Sequence, residues 1–487
     1  MRNKVLLAVA LAAFMAAPAF AAVQNVKVSG DIDSTYISRN NFNLGNYTFV
    51  GAGSQNTRPG LDKQSVFITQ TRVRIDADLS DNVSTTVGLI NERAWGSDGA
   101  GGTSTDSDVD LYLAYATLRE FLYSPLTVSV GRQVFHYGNG LVMGDGGVNN
   151  AATGPLAGIA ADLTKRTAYD GVKAILDYKP LTLDLLYFKN DSGVNTGAQN
   201  ATKDDSDVFG ANANYQLGDA MSTVAEGYFF ARTTGDKSTV LAAASDKGDQ
   251  LYVPGLRVST NPIKGLNTQA EVAWQLGRKG TTAGTLAGGD NIRRNAMAYQ
   301  FMASYTLPVY EQYKPMVNAA FTHVSGDKNA GVGRYGAEGV NPIGAFKANS
   351  KEVYTAWDPF NEAQGSGTIY NTLFNLTNMN IVAVGGQVTP LEDITAGFTW
   401  SNLTADRKYS TQNPLTILQP DGTTANTPAT DGGHKGLGNE YDVNVNYAYT
   451  EDVTFGVSLG WFVPGNAFSN ANDNTASQAL AHVLVNF

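Results

Sequence analysis

The feature that most limits the fold of this chain is a two-residue alternation of apolar and polar side chains. In the stretch TQTRVRIDADLS, the residues Val73, Ile75 and Ala77 share one face of a strand, and arginine and aspartate occupy the other face. The triplet SDN at 80–82 is typical of a tight turn, after which the same alternation resumes. The pattern therefore predicts a β-hairpin with one apolar face and one charged face.

The same alternation recurs along nearly the whole chain and predicts eighteen strands. Each is long enough for the roughly 9–11 residues that a tilted membrane-spanning strand needs. The predicted strands are 23–38, 64–79, 83–95, 109–118, 126–137, 168–178, 181–190, 206–216, 221–233, 248–260, 265–277, 292–306, 315–325, 378–388, 393–404, 439–449, 453–464 and 476–487.

The connections between these strands alternate in length. The short ones include 80–82, 179–180, 217–220, 389–392 and 450–452, whereas the long ones are 39–63, 96–108, 138–167, 191–205, 234–247, 278–291, 326–377, 405–438 and 465–475. Short turns at one end and long loops at the other are typical of bacterial outer-membrane barrels. The predicted fold class is thus all-β, a transmembrane antiparallel barrel of about eighteen strands with short periplasmic turns and long extracellular loops.

The N-terminus has the pattern of a secretory signal peptide. The basic MRNK precedes the apolar VLLAVALAAFMAA, and AFA at 19–21 forms a small-x-small cleavage site. We expect a signal peptide over 1–21 and a barrel over 22–487. A formal net charge of −10 argues against a nucleic-acid partner, and the absence of cysteine excludes disulfides and cysteine-based metal sites.

Aromatic residues of the apolar parity fall near the strand ends. We expect them to form two girdles at the two membrane interfaces. They are Trp95, Trp274, Trp400 and Trp461 on outward-running strands, and Tyr178, Tyr215, Tyr305, Tyr449 and Phe487 on the returning strands. Because no backbone group can stay unpaired in lipid, we expect the last strand to close against the first. A terminal Phe487 in this frame also resembles the signal that outer-membrane proteins present to their assembly machinery.

Three stretches resemble the alginate-export family of outer-membrane porins. They are VGRQVFHYGNG (130–140), RTAYDGVKA (166–174) and GNEYDVNVNYAYTEDVTFGVSLGWFVPGNAF (438–468), and QTRVRID (70–76) fits as well. The resemblance implies an eighteen-stranded barrel. It also implies that members passing a polyanionic polysaccharide line their pore with excess cation.

The face opposite the apolar parity supplies the candidate pore-lining residues. These are Arg72, Arg74, Asp110, Arg132, Lys173, Asp184, Glu226, Arg232, Arg257, Glu271 and Arg294. The same parity also carries Asp76, Asp78, Glu92, Asp177, Glu440 and Asp442, so the lining is mixed and leans acidic. Arg72 and Arg74 are the best candidates for a local cationic constriction, whereas each charge could instead belong to a stabilising network across the lumen. Because Val128 and Val130 point to lipid, Arg132 fits only if Gly131 forms a bulge or if the strand has already cleared the membrane at this point.

We expect a channel for hydrophilic solutes, including oligo- or polysaccharides or small anions, that resides in the outer membrane. Its partners would be the lipid bilayer, lipopolysaccharide, the assembly machinery and the solute, with no cofactor. The loops 138–167 and 326–377 are long enough to fold into the pore.

The four histidines lack metal-ligand spacing and no catalytic set is visible, so we expect no enzyme and no metal. The acidic runs 104–110 and 202–207 are interpreted as solvated loop tips, with calcium binding as an alternative. The alternative function is a structural sleeve that holds a partner protein such as a cytochrome.

Overall fold

The structure is a computed structural model. It describes residues 25–45, 63–96, 109–144, 155–156, 158–191, 206–235, 237–238, 245–246, 248–280, 292–328, 353–363, 367–409, 415–420, 425–428 and 430–487. The predicted signal peptide and most of the two acidic runs lie outside the described residues.

Eighteen strands form one antiparallel sheet that closes on itself. The strands are β1 (Asn25–Asn40), β2 (Gln64–Ser80), β3 (Val83–Ala94), β4 (Asp110–Leu118), β5 (Leu126–Gln133), β6 (Tyr169–Asp177), β7 (Leu181–Asp191), β8 (Ser206–Gln216), β9 (Val224–Thr234), β10 (Gln250–Ile263), β11 (Leu266–Lys279), β12 (Ile292–Thr306), β13 (Met316–Val324), β14 (Met379–Leu391), β15 (Ile394–Ala405), β16 (Gly436–Ala448), β17 (Val453–Pro464) and β18 (Ala476–Asn486). Each pairs with its sequence neighbours, and β18 pairs with β1.

The terminal residue takes part in this closure, as the alternation at the chain end predicted. The backbone N–H of Gly30 donates to the carbonyl of Phe487 at 2.8 Å, and the N–H of Phe487 donates back to Gly30 at 3.0 Å. A Cβ at position 30 would lie 2.7 Å from Cζ of the Phe487 ring. Glycine at this position therefore lets the terminal ring lie flat across β1, which resembles the covering of strand glycines by aromatic rings in designed sheets.

The two faces of the barrel differ in chemistry as the alternation predicted. Large apolar side chains on one parity are exposed, among them Val28, Leu256, Phe301 and Phe398. On the same parity Trp95, Trp274, Trp461, Tyr178, Tyr215, Tyr449 and Phe487 are exposed, and Trp400 and Tyr305 are half-buried. This is the face that lipid would cover, whereas the opposite parity points into the lumen.

Within the described residues, no helix is both long and apolar enough to cross a membrane.

All eighteen predicted strands are present, and the largest boundary error is at the end of β5. The alternation of VFHY predicted a strand to residue 137, but β5 ends at Gln133 because the chain then turns into the lumen. Several short elements outside the eighteen barrel strands were not predicted. They are the strand Val353–Tyr354 beside β12, the strand pairs Lys237–Ser238 with Ser245–Asp246 and Ile417–Leu418 with Ala425–Asn426, the helical turn Tyr370–Leu373, and the 3₁₀ turns Ala161–Leu163 and Glu311–Tyr313.

Candidate functional site: the lumen and its inner segments

Four pieces of loop lie inside the barrel, where they contact lumen-facing strand residues. We name them segment A (134–144), segment B (158–168), segment C (353–363) and segment D (367–378). All four belong to or border the loops 138–167 and 326–377, which are long enough to fold into the pore, and their described parts lie inside it.

Segment B is attached to the wall formed by β1–β4 through ion pairs. Lys165 Nζ lies 2.9 Å from Asp33 Oδ2 and 3.2 Å from Asp31 Oδ2. Arg166 Nε lies 2.9 Å from Glu92 Oε2, and its Nη1 contacts Asp110. Glu92 is fully buried and also accepts hydrogen bonds from Gln70, Thr164 and the backbone N–H of Lys165. A buried carboxylate with this many donors fixes segment B firmly, because removing any donor would leave charge unpaired.

Segment C is attached to the wall formed by β9–β12. Asp358 Oδ2 lies 2.8 Å from Arg294 Nη1 and 3.1 Å from Lys279 Nζ. Gln275 forms two hydrogen bonds with the backbone of Asp358, donating to its carbonyl at 2.5 Å and accepting from its N–H at 2.8 Å. Arg232 donates to the carbonyls of Pro359 and Phe360, and its guanidinium lies 5.3 Å from the centre of the Phe360 ring. Three cations thus converge on one turn of segment C.

Segment A lies beside segment C and shares backbone hydrogen bonds with it. The N–H of Gly144 donates to the carbonyl of Asn361 at 2.6 Å, and the N–H of Ala363 donates to the carbonyl of Gly140 at 2.9 Å. Phe135 stacks on the inward-facing Phe188 with ring centres 4.7 Å apart. Segments A and C therefore form one unit that occupies part of the lumen.

Segment D is anchored on another part of the wall, at β16. Glu440 is fully buried and accepts hydrogen bonds from the backbone N–H groups of Ile369 at 2.8 Å and Tyr370 at 2.6 Å. Asp442, two residues along the same strand, accepts from Thr368 Oγ1 at 2.7 Å. The two carboxylates thus hold the N-terminal end of the helical turn, where backbone N–H groups lack partners in the helix itself.

The structure places ten of the eleven predicted pore-lining residues on the lumen-facing parity. Besides the residues already described, Arg72 pairs with Asp31 at 2.7 Å and Arg74 pairs with Asp76 through two bonds of 2.8 and 2.9 Å. The remaining residues of this set follow the same pattern: Arg257 contacts Glu226, Gln269 and Asn139, Glu271 accepts from Tyr228, Asp184 lies near Tyr137, and Lys173 lies near Asp184.

The prediction is wrong for Arg132. The structure shows no register shift at Gly131, so Arg132 stays in phase with the exposed Val130 on the outer face. Its Nη1 lies 2.9 Å from Asp170 Oδ2, and both side chains are exposed. Gly131 has the positive φ of 126° that a bulge can use, but both neighbouring strands remain in regular register across it.

The lumen cations differ strongly in their access to water. The side chains of Arg72 and Arg74 are 33% and 42% exposed, whereas those of Arg257 and Arg294 are 11% and 1% exposed. A passing ion can approach the first two, whereas the latter two are surrounded by their acidic partners. Arg72 and Arg74, the candidates for a local cationic constriction, are thus the more accessible of these four cations.

The basic residues are confined to one part of the barrel wall. The sequences of β13 to β18 contain no lysine or arginine. Their lumen-facing positions carry neutral side chains such as Asn318, Gln387, Asn444 and Asn446, and the carboxylates Glu440 and Asp442 bond to segment D. All strand cations that face the lumen come from β1 to β12. One side of the lumen is consequently cationic in part, and the other is lined by amides, hydroxyls and these two carboxylates.

Several residues of this network were not predicted from the sequence. Lys165 and Arg166 lie in a long loop whose path the alternation does not indicate. Asp31 and Asp33 follow the lumen parity of β1 and could have been found by the same rule that found Arg72.

Two groups in the inner segments have pKa values shifted by these surroundings. Burial alone would raise the pKa of the Asp358 carboxyl, but Lys279 and Arg294 hold that pKa well below its usual range. Burial, reinforced by the nearby Asp184 carboxylate, raises the pKa of the Tyr137 hydroxyl well above its usual range. Asp358 is therefore an anion and Tyr137 is neutral at physiological pH.

Among the described residues, no group of three or more histidine, aspartate or glutamate side chains is arranged to hold a metal ion. The chain has no cysteine.

Comparison with known proteins gives the family and the fold. The family model for alginate export matches residues 46–482. The comparison with curated protein sequences found no match. Among solved structures, OpdK of Pseudomonas aeruginosa with vanillate has a TM-score of 0.52 at 10% identity, covering 96% of this chain and 100% of that one. A BenF-like porin from Pseudomonas fluorescens Pf-5 has a TM-score of 0.52 at 11% identity, with coverages of 96% and 100%.

OccAB1 of Acinetobacter baumannii has a TM-score of 0.51 at 12% identity and covers 96% of this chain and 99% of that one. At such identities the likeness to solved structures shows the fold alone. The family match spans most of the sequence and agrees with the eighteen closed strands. The chain belongs to the alginate export family, and it is an outer-membrane β-barrel with the fold of a porin-like channel.

Proposed function

We propose that the protein is a passive channel that carries small hydrophilic solutes across the outer membrane. The observation that carries this function is the polar lumen, which contrasts with the apolar outer face. The inner segments narrow this lumen, but the barrel that surrounds it is wide. Barrels of sixteen to eighteen strands are wide enough to leave an aqueous lumen rather than a filled core. A channel needs no catalytic step, and we assign none.

The inner segments favour small solutes over a long polysaccharide. Segments A and C are joined by backbone hydrogen bonds, and Asp162 of segment B contacts both Arg39 of β1 and Thr372 of segment D. These links join the inner segments to one another and to β1 inside the lumen, and the Arg39–Asp162 ion pair among them is buried. A polymer would have to displace them, whereas small sugars or small anions need only the space beside them.

The accessible guanidinium groups give the channel a local preference for anions, although the net charge of the chain is negative. β2 supplies two accessible lumen cations, Arg72 and Arg74, although each already has an acidic partner. Focusing of the field in a narrow pore with low-dielectric walls amplifies such local charges. We therefore expect anionic groups of a solute to interact first with this part of the wall.

The sleeve function is not favoured. A sleeve requires a lumen that is free to admit another protein, but segments A to D contact the inner wall at several places, and segments A, C and D pack together through a buried apolar cluster. The remaining partners are the bilayer with its lipopolysaccharide and the assembly machinery, for which Phe487 is the proposed recognition residue.

Reconstitution into planar bilayers tests the channel function. We expect discrete conductance steps in KCl, and we expect neutral polyethylene glycols to enter only when they are small. As a matched test, replacing segment C (353–363) by a Gly/Ser linker of equal length should raise both the conductance and the size limit. A barrel that assembles in its heat-modifiable form but conducts no current would contradict the proposed function.

A further inference from the structure

A cavity of about 410 Å³ lies inside the barrel between segment A, segment D and the strands β12 to β14. Its volume falls in the range of about 300–1,000 Å³ that small-molecule sites in proteins occupy. It is formed by described residues of segments A and D, by Ala363 of segment C and by the wall, so the same packing that narrows the channel also shapes this space. A solute that moves past segments A and D would meet this cavity.

Among the described residues that line the cavity there is no aspartate, glutamate, lysine or arginine. This is unusual in a lumen where the neighbouring walls carry many ion pairs. Arg257, the nearby cation of β10, instead contacts Glu226, Gln269 and Asn139. An ionised ligand in this space would lose hydration and find no opposite charge, which is costly. The lining therefore selects an uncharged ligand.

The apolar and polar groups of the lining lie on different elements. The thioethers of Met302 and Met379, with Ile381 and the ring of Phe374, form an apolar side. Methionine sulfur makes favourable contacts with aromatic rings, and flexible thioethers adapt to a flat ligand. The amide of Gln300 and the exposed imidazole of His136 provide hydrogen-bonding groups in the same cavity.

From this combination we propose that the cavity binds an uncharged aromatic compound of one ring that carries hydroxyl groups. The ring would contact the thioethers and Phe374, while a hydroxyl group would bond to Gln300 or His136. This site rests on the proposed channel function, in which it is a binding station on the route of the solute. It differs from the cationic wall at Arg72, which is suited to anionic groups.

The test measures equilibrium binding of 4-hydroxybenzyl alcohol to the detergent-solubilised barrel by titration calorimetry, with empty micelles as the blank. The charged analogue 4-hydroxybenzoate and the neutral sugar glucose are titrated in parallel. We expect saturable binding of the alcohol with one site per barrel, at least tenfold tighter than binding of either comparison compound. Equal or tighter binding of 4-hydroxybenzoate or glucose, or no saturable binding of the alcohol, would overturn the proposal.

Variants locate the binding in the cavity. Ala320→Phe and Ala383→Phe each place a ring into the cavity from a lumen-facing position, and each should weaken binding of the alcohol at least tenfold. Ser458→Phe is the control, because Ser458 lines a separate cavity of about 260 Å³ and its substitution should leave the affinity unchanged. Gln300→Leu, a smaller change, should also reduce the affinity. Affinities that do not change in the alanine variants, or that fall equally in the control, would refute the assigned site.

Two further measurements separate this site from the channel function. Heat modifiability confirms that each variant has assembled, so that lost binding is not read from an unfolded barrel. Conductance in KCl, recorded on the same preparations, tests the channel independently of the ligand. A barrel that conducts but does not bind the alcohol overturns only the site. A barrel that binds the alcohol but never conducts overturns the proposed channel function and the role of the cavity as a station within it.

Discussion

Substitution of Asp358 by asparagine should release segment C from the wall. The change keeps the shape of the side chain but removes the charge that pairs with Arg294 at 2.8 Å and Lys279 at 3.1 Å. Breaking a fully buried ion pair costs about 3–5 kcal/mol. Arg294 keeps Asp249 as a second partner at 2.5 Å, and the side chain of Lys279 is 28% exposed, so the expected loss is smaller, about 2–3 kcal/mol.

This loss converts into a change in the population of the open channel. Because about 1.4 kcal/mol is a factor of ten, the ratio of detached to attached segment C should rise about 30- to 150-fold. Single-channel recordings in planar bilayers measure this ratio as the fraction of time spent in a higher-conductance state. We expect that state to be rare in the parent protein and frequent in the Asp358→Asn variant.

The control is the same substitution in an ion pair outside the lumen. Asp207→Asn removes the partner of Lys189, whose Nζ lies 2.7 Å away on the outer face of β7 and β8, and should leave the recordings unchanged. If Asp358→Asn gives a folded barrel with the same conductance states as the parent protein, segment C is not held by this ion pair and our account of the narrowing is wrong.

The lowered pKa of Asp358 predicts how this attachment depends on pH. Lys279 and Arg294 more than offset the effect of burial and place the pKa below the unfolded value. A carboxyl of this kind contributes stability that is fully present above its unfolded pKa, about 3.9, and is lost as the pH falls through the lower folded value. We therefore expect the opening of segment C to stay constant from pH 7 to about pH 4.5. More frequent opening between pH 7 and pH 5 that the Asp358→Asn variant lacks would contradict this assignment.

Two further predictions concern the pore and its assembly. Replacing Arg72 and Arg74 together by glutamine should shift the reversal potential towards cation selectivity at about 0.1 M KCl, where the Debye length is about 10 Å, and less so at 1 M. Arg132→Gln on the outer face is the control for loss of an arginine outside the lumen. A loss of stability with an unmoved reversal potential would show that the pair is only structural. Deleting Phe487 or replacing it by aspartate should greatly reduce the amount of heat-modifiable barrel in the outer membrane. The control Phe121→Ala, in an exposed periplasmic turn, should leave that amount unchanged. Normal assembly of the deletion variant would contradict the role of the terminal ring.

The strands could be predicted because their surroundings impose a strict rule. Lipid on one side and water on the other force the two-residue alternation on every strand, so the parity of Val73 or Phe301 is visible without a structure. The closure of Phe487 onto Gly30 followed from the need to pair every backbone group in lipid. The same rule also located most lumen-facing charges, including Arg257 and Arg294.

The inner segments could not be predicted because no repeating rule governs them. The path of Lys165 depends on where Asp31 and Asp33 lie in the closed barrel, and that information is distant in the sequence. Phe360 shows the same limit, because its loop position suggests an expendable side chain, yet it is buried and stacked on Arg232. The error at Arg132 had a different cause. A glycine that permits a bulge does not require one, and β5 pairs in regular register with both β4 and β6.

The charges of the lumen and the position of the inner segments are parts of one network. Because β13 to β18 supply no cation, the positive charge of the barrel wall comes from the other strands. The inner segments add charges of both signs, such as the anion Asp358 and the cation Lys165. A substitution at a buried cation such as Arg294 would therefore change selectivity and move a segment at the same time. Arg72 and Arg74 are different with respect to segment C, because their partners Asp31 and Asp76 lie on the strands of the wall, although Asp31 also pairs with Lys165 of segment B. They are consequently the positions at which the selectivity of the channel can change while segment C remains in place.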